Sequence, residues 1–245
     1  MTIRYKFQNI KLLQAGLLIM IISGSKSFGQ VAPLQSQFFE NTLLVNPAFA
    51  GSKDEGVASI IYSLQWDRIE GAPKIMSAII HSPLTNKMGV GLSLVNDKAG
   101  LINLTTAFGS YSYLVNFNDN TSVRFGLAAG FLSENANILD ANTPNKSSDP
   151  SLNNYNKKQD LLFKYGIGSI INTGKLEAQL AFHDLTRRPV SEIKTVDHPG
   201  FTASVVYQIG SVDDCLFKPL VGVRQIKGLS SYFDFGFKTS YLDVV

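Results

Sequence analysis

From residue 56 onward, apolar residues alternate with small or polar ones along the chain. Between Val123 and Phe131, for example, every odd-numbered residue is apolar, whereas the even-numbered ones are arginine, glycine and alanine. Successive side chains of a β-strand point to opposite faces, so a period of two predicts strands with one apolar face. The chain is therefore predicted to be all-β, with about ten strands in segments 57–66, 74–82, 88–96, 102–115, 121–132, 160–171, 175–183, 200–209, 216–225 and 232–242.

The lengths of these segments and of their connections indicate an antiparallel transmembrane β-barrel of the outer membrane. Most segments are long enough for a tilted bilayer crossing of about 9–11 residues and exceed the ~5–6 residues usual in globular sheets. Both very long connections are odd-numbered, as expected if long external loops alternate with short periplasmic turns. The even-numbered connections are 83–87, 116–120, 172–174 and 210–215, and the odd-numbered ones are 67–73, 97–101, 133–159, 184–199 and 226–231.

Periodicity alone leaves a soluble β-barrel open as the alternative. In a soluble barrel the apolar face forms the core, whereas in a membrane barrel it meets lipid and the polar face lines the lumen. Two segments deviate from the pattern, because 102–115 is apolar on both faces and 160–171 carries Ile170 on its polar face. Strand length, loop asymmetry and the N-terminus together favour the membrane barrel.

The first 29 residues are predicted to be a secretory signal peptide. Three basic residues precede the mostly apolar run Leu12–Ile22, which is too short for a membrane span of about 20 residues. Small residues follow, so cleavage is expected between Gly29 and Gln30. The expected organisation is a signal peptide over 1–29, a pre-barrel or plug segment over 30–55 and a β-barrel domain over 56–245.

Removal of the signal peptide would change the charge of the protein. The full chain has a formal net charge of +3, but residues 1–29 hold four basic and no acidic residues, which leaves −1 for the remainder. The mature chain therefore lacks the basic surplus of nucleic-acid-binding proteins. Cys215 is the only cysteine, so neither an intramolecular disulfide nor a multi-thiolate metal site is expected.

Six short motifs follow one another in the first half of the chain. They are QSQFFENTLL at 35–44, VNPAFAG at 45–51, QW at 65–66 with GAPK at 71–74, HSPL at 81–84, GVGLS at 89–93 and VNDKAG at 95–100. Their sequences and their order resemble those of the PorP/SprF family of type IX secretion system membrane proteins from the Bacteroidetes. The resemblance is close over residues 35–131 and looser beyond them.

This resemblance implies a non-enzymatic outer-membrane component of type IX secretion or gliding motility that helps to export secreted adhesins or attach them to the cell surface. It also implies the partners: other type IX secretion components, cargo with a type-B C-terminal secretion domain, and peptidoglycan-binding periplasmic proteins. Outer-membrane lipid would surround such a barrel. No cofactor is expected.

The residues of these motifs also have structural interpretations. Asn46-Pro47 is typical of a turn, Gly51 permits unusual backbone angles, and Trp66 at a strand end suits an interfacial aromatic girdle. Asn96-Asp97 with Gly100 is predicted to form a tight turn. Turn chemistry explains nearly all of these residues, so structural roles are favoured over partner contacts. The candidates for either role are Asn46, Pro47, Ala48, Gly51, Trp66, Gly71, Ala72, Pro73, His81, Ser82, Pro83, Asn96, Asp97 and Gly100.

Two other functions remain open from the sequence. The first is an outer-membrane channel or hydrophobic-solute transporter with Gln35–Phe49 as an N-terminal plug. The second is an outer-membrane enzyme, but His81, His183 and His198 have no spacing that suits zinc or a catalytic dyad. The chain also has no G-x-S-x-G motif and no P-loop. We therefore predict neither a catalytic residue nor a metal site.

The end of the chain raises the question of how the barrel closes. The family's members usually continue with further hairpins beyond the equivalent of Phe233–Tyr241, whereas this chain stops at Val245. An open sheet in lipid would leave unpaired backbone groups along its edges. The sequence therefore favours a C-terminally truncated chain over a natural ten-strand end.

Overall fold

The computed structural model describes residues 41–66, 68–69, 71–136, 161–183, 185, 199–210, 215–226 and 231–241. Two short helices come first: α1 is Thr42–Val45, and a 3-10 helix spans Pro47–Phe49. No helix in these ranges is long and apolar enough to cross a membrane. The strands are β1 Val57–Leu64, β2 Lys74–Pro83, β3 Met88–Ala99, β4 Ile102–Asn118, β5 Thr121–Ala136, β6 Leu161–Thr173, β7 Leu176–Phe182, β8 Pro199–Tyr207, β9 Ile209–Gly210, β10 Cys215–Ile226 and β11 Tyr232–Tyr241.

All of these strands belong to one antiparallel sheet, in which each long strand pairs with the next along the chain. The short strand β9 follows β8, and both pair with β10. Among the described residues, β1 pairs only with β2 and β11 pairs only with β10. The predicted all-β, antiparallel fold is confirmed, whereas closure into a barrel stays a prediction.

The two faces of the sheet differ in what covers them. In β5 the side chain of Leu127 is 59% exposed, whereas Gly126 beside it is buried. We call the face that carries Leu127 the apolar face, and the opposite face, which carries Gly126, the covered face. The apolar face is exposed along the whole sheet, with large side chains that include Ile60, Tyr62, Met76, Ile80, Leu92, Leu94, Tyr111, Phe125, Phe131, Phe163, Tyr165, Ile171, Val205, Val221, Phe233, Phe235 and Phe237.

This exposure is the reverse of what a soluble barrel requires. There, the alternating apolar residues would form the core, and the small and polar residues would face water. Here the buried positions include Ser77, Ser112, Gln179 and Ser204, while the apolar residues are open. Soluble monomers rarely expose contiguous apolar surfaces of this extent. The distribution fits a sheet whose apolar face meets lipid.

The two longest connections, 137–160 and 183–198, lie at the same end of the sheet, as predicted. Because neighbouring strands are antiparallel, alternate connections lie at opposite ends of the sheet. The end with the connections 65–73, 100–101, 137–160, 183–198 and 227–231 is called the long-connection end. The other end, the short-connection end, carries 84–87, 119–120, 174–175 and 211–214.

The turn predicted at Asn96-Asp97 is wrong. Both residues lie inside β3, which continues to Ala99, and only Gly100 and Leu101 connect it to β4. The Asn96 side chain explains the longer strand, because its Nδ2 donates to Asn103 Oδ1 at 2.8 Å and to Thr105 Oγ1 at 2.9 Å across the strand pair. These cross-strand bonds replace the local bonds of an Asx turn.

Other strand ends also differ from the prediction. β5 continues through residues 133–136, which were assigned to a long loop; the rest of that loop lies outside the described residues up to Leu161. β1 ends at Leu64 rather than at Trp66, which adopts a positive φ of 55° in the connection. A positive φ is unusual for a bulky residue and incompatible with continued strand pairing.

Candidate functional site

Residues Asn41–Gly51 form the feature that distinguishes the covered face, and we call them the N-terminal segment. Asn46 shapes it locally, since its Oδ1 accepts a hydrogen bond from the Ala48 backbone nitrogen at 2.9 Å and caps the 3-10 helix. Pro47 at the first helical position has the φ that a helix start requires. The segment is buried almost throughout, and Ala48 has no exposed surface.

Apolar contacts fix the N-terminal segment to the sheet at two places. Leu43 and Ala50 pack with Ile79 of β2. Ala48 and Phe49 pack with Ile170 of β6. Ile170 is the residue that interrupted the polar face of its predicted strand, and this contact explains it. Ile79 and Ile170 are thus apolar residues of the covered face that serve as packing partners of the segment.

Asn46 also holds the segment to the backbone of two strands. Its Nδ2 donates to the carbonyl oxygen of Ser169 at 3.0 Å and to that of Leu180 at 3.2 Å. These two residues are partners in the β6–β7 register, so one side-chain amide bridges neighbouring strands. With Oδ1 bonded to Ala48, the buried amide uses both its donor and its acceptor.

A second set of polar contacts lies at the other end of the segment. The Gly51 backbone nitrogen donates to His81 Nδ1 at 3.2 Å, which requires that Nδ1 carry no proton. Ser112 Oγ donates to the carbonyl oxygen of Ala50 at 2.6 Å. Arg124 in turn donates to Ser112 Oγ at 3.2 Å. The contacts to β2 and β4 therefore fix the exit of the segment.

Four glycines of the covered face let the segment approach this closely. A Cβ at Gly126 would lie 2.5 Å from the Ala48 Cα, and one at Gly168 would lie 2.8 Å from Asn46 Cγ. A Cβ at Gly89 would meet the Gly51 Cα at 2.7 Å, and one at Gly91 would meet the Leu43 side chain at 2.8 Å. Real Cβ atoms do not come this near to other heavy atoms, so a side chain at any of these positions would require a shift of the segment or of its side chains. The shift would be most costly at Gly126 and Gly89, where the nearest atoms belong to the backbone of the segment.

The structure brings the sequence candidates together in two clusters, of which the first surrounds the N-terminal segment. Asn46, Pro47, Ala48 and Gly51 lie in the segment itself. His81, Ser82 and Pro83 lie at the end of β2 beside Gly51, where a Cβ on Gly51 would come 2.6 Å from the Ser82 carbonyl oxygen and 2.9 Å from the Pro83 Cα.

The second cluster lies at the long-connection end. The Gly100 nitrogen donates to the Gly71 carbonyl oxygen at 2.9 Å, which joins the β1–β2 and β3–β4 connections. Ala72 is buried there, and the Gln65 nitrogen donates to the Pro73 oxygen at 3.0 Å. Trp66 lies in the same connection and is exposed. Asn96 and Asp97 lie in β3 beside this cluster and not in the turn.

Sequence reasoning missed several residues that contact the segment. Ser112 and Thr202 contact it from far along the chain, and Thr202 Oγ1 donates to the Val45 carbonyl oxygen at 3.4 Å. Arg124 supports this contact indirectly through its hydrogen bond to Ser112. No local pattern marks such long-range contacts. The glycines gave a partial signal, because glycine within a strand indicates close approach of backbone.

Elsewhere on the covered face, Arg224 and Asp234 form an ion pair within the sheet. Arg224 of β10 is buried and donates through Nη2 to Asp234 Oδ1 of β11 at 2.7 Å, with a second bond from Nε to Oδ2. His183 Nε2 bonds Thr202 Oγ1 at 3.1 Å. Within the described ranges, no group of three or more His, Cys, Asp or Glu residues is placed to hold a metal ion.

Comparisons with known proteins identify the family to which the chain belongs. Neither a curated protein nor a solved structure matches the chain. One family model matches it, described as type IX secretion system membrane protein PorP/SprF, and the match runs over residues 27–245. It thus includes the N-terminal segment, both clusters of motif residues and every strand of the sheet. The chain therefore belongs to the PorP/SprF family of type IX secretion system membrane proteins.

Proposed function

We propose that the protein is a non-enzymatic outer-membrane component of type IX secretion and gliding motility, which helps to export secreted adhesins or attach them to the cell surface. Its partners are other secretion components, together with cargo that carries a type-B C-terminal secretion domain or peptidoglycan-binding proteins of the periplasm. Membership of the PorP/SprF family supports the link to type IX secretion.

The observation that best supports a location in the outer membrane is the exposed apolar face. It extends over every long strand, and its side chains include Phe235 with 77% of its surface exposed. Burial of such a face in lipid would remove the apolar surface from water. The long-connection end would lie outside the cell and the short-connection end in the periplasm, as in other outer-membrane barrels.

In this proposal the sheet is closed into a barrel in the membrane, so that the outer edges of β1 and β11 are paired. Each has one free edge among the described residues. Unpaired backbone groups in lipid cost several kcal/mol each, so an open edge would be strongly unfavourable there. The signal peptide over residues 1–29 is removed on export, and the N-terminal segment then acts as a plug on the covered face.

Affinity purification of the tagged full-length protein from native membranes tests this function. We expect the preparation to contain type IX secretion components or a surface adhesin, because the protein would act by holding such partners at the outer membrane. A tagged unrelated outer-membrane barrel from the same cells is the control for nonspecific recovery. Repeated preparations that contain neither class of protein would contradict the proposal.

A plugged channel or transporter for hydrophobic solutes is the second candidate, and the buried N-terminal segment favours it specifically. Single-channel recording with the purified protein in planar bilayers separates the two. If the segment is a permanent part of the fold, we expect no open steps, because the segment is buried against the covered face with direct contacts to β2, β4, β6 and β7. Reproducible ion-selective steps would support the channel instead.

A further inference from the structure

The apolar face ends abruptly near the long-connection end of β3 and β4. One register row across β1–β5 is apolar, and it consists of Ile60, Ala78, Leu94, Ala107 and Phe131. In the next row on the same face, β3, β4 and β5 carry Asn96, Thr105 and Ser133. The change from apolar to polar side chains along each strand marks the expected level of the lipid headgroups.

Two lysines lie directly opposite each other just beyond this boundary. Lys74 of β2 and Lys98 of β3 are register partners, and both are exposed on the apolar face. Like charges in this position repel each other, because the Cβ atoms of opposed residues are only about 4.5–5.5 Å apart. Within the described part of the chain, neither lysine has a side-chain hydrogen bond or an ion pair. Their flanking partners in the same row are the uncharged Leu64 and Asn103.

The surroundings of this lysine pair are typical of a membrane interface. Trp66 and Ile69 are exposed in the adjoining β1–β2 connection, and Tyr62 is exposed one row nearer the apolar band. Tryptophan and tyrosine are enriched at the headgroup level, with their rings between lipid and water. The connection is tied to the β3–β4 turn by the bond between Gly100 and Gly71. The backbone of the lysine pair therefore lies next to a connection that carries exposed aromatic and apolar side chains.

We propose that Lys74 and Lys98 bind a phosphate group of an outer-leaflet glycolipid, with Trp66 and Ile69 against its acyl or sugar portion. A phosphate accepts hydrogen bonds from both ammonium groups and cancels their mutual repulsion. This inference rests on the proposed orientation, in which the long-connection end lies at the outer leaflet. The lipid source is favoured over free phosphate because both lysines lie at the edge of the apolar band.

The full chain offers a built-in probe for the test, because Trp66 is its only tryptophan. Purified protein in detergent is titrated with phosphorylated lipid A, and the shift of Trp66 emission gives the binding curve. We expect K74Q/K98Q to weaken binding roughly tenfold to thirtyfold. Each basic residue near an anionic lipid raises the affinity about threefold to fivefold, and the variant removes two of them. The variant K74R/K98R keeps both charges and should bind within about twofold of the wild type.

Matched controls separate this site from general charge effects. K87Q/K175Q removes two exposed lysines at the short-connection end and should leave the binding curve unchanged. Equal binding by K74Q/K98Q, or equal binding of dephosphorylated lipid A to the wild type, would overturn the proposal. Inorganic phosphate that shifts the emission as effectively as lipid A would also overturn it, in favour of a free-anion site. The dephosphorylated probe needs no variant, so poor folding of K74Q/K98Q would not block the test.

A negative result for lipid binding can be distinguished from a negative result for the secretion role. The titration uses purified protein and one lipid, whereas the secretion role is judged by co-purified proteins. A protein that retains secretion partners but ignores lipid A phosphates would lack this site alone.

Discussion

Gly126→Ala is expected to release the N-terminal segment from the covered face. The new Cβ would collide with the backbone of Pro47 and Ala48, including the Ala48 Cα at 2.5 Å. Backbone atoms cannot rotate away as a flexible side chain does, and Ala48 is fully buried. Overpacking of this kind typically costs about 1–3 kcal/mol. Most of that cost would fall on the contact between the segment and the sheet, because β5 itself is paired on both sides.

Hydrogen exchange measured by mass spectrometry detects this release without a label. In the wild type, the backbone nitrogens of Asn46, Phe49, Ala50 and Gly51 all donate hydrogen bonds and should exchange slowly. In the Gly126→Ala variant we expect exchange over residues 41–51 to accelerate roughly tenfold to hundredfold, with β4 and β5 unchanged.

Gly109→Ala is the matched control for this experiment. Gly109 lies in the neighbouring strand β4 on the apolar face, and the nearest atoms to an added Cβ are 3.8 Å away, an ordinary contact distance. Its exchange pattern should equal that of the wild type. Unchanged exchange in both variants would mean that the segment is not held against Gly126 in solution.

The strands could be predicted because the sequence pattern that indicates a strand lies within that strand. Alternation within a single strand determines which side chains share a face, and β5 shows this from Val123 to Phe131. The alternation does not say which face is covered. That depends on the environment and on the N-terminal segment, which contacts β2, β4, β6 and β7 at once.

The errors at strand ends and the missed contacts share one physical cause. Asn96-Asp97 has turn propensity, but the Asn96 amide finds two partners on β4, and tertiary bonds override the local preference. Ser112 and Ala50 are 62 residues apart, and no pattern in the sequence around either residue indicates their hydrogen bond. Ile170 was visible in the sequence, since it breaks the alternation of β6 where the segment packs, and Gly168 is a glycine within a strand, which indicates close approach of backbone.

Leu127→Arg is expected to destabilise the protein strongly in a bilayer. Leu127 lies in the middle of the apolar positions of β5, and its register partners Tyr111 and Ile167 are exposed on the same face. Arginine at the bilayer midplane of a β-barrel costs about 2–4 kcal/mol, because its charge must leave water or distort the membrane. Folding of the full chain into phospholipid vesicles, followed by urea titration, measures this cost as a drop in the free energy of unfolding.

Leu176→Arg makes the same chemical change at the end of a strand and is the matched control for Leu127→Arg. Leu176 begins β7 at the short-connection end, where the cost of arginine in a barrel falls to about 0–1 kcal/mol. A membrane-embedded apolar face therefore predicts a large difference between two exposed leucines that look alike in water. If the face met water instead, both substitutions would stay within about 0.5 kcal/mol of the wild type, as surface changes do. The difference between the two variants thus decides whether the apolar face is embedded in lipid or exposed to water, because the cost in lipid depends on the depth of each residue.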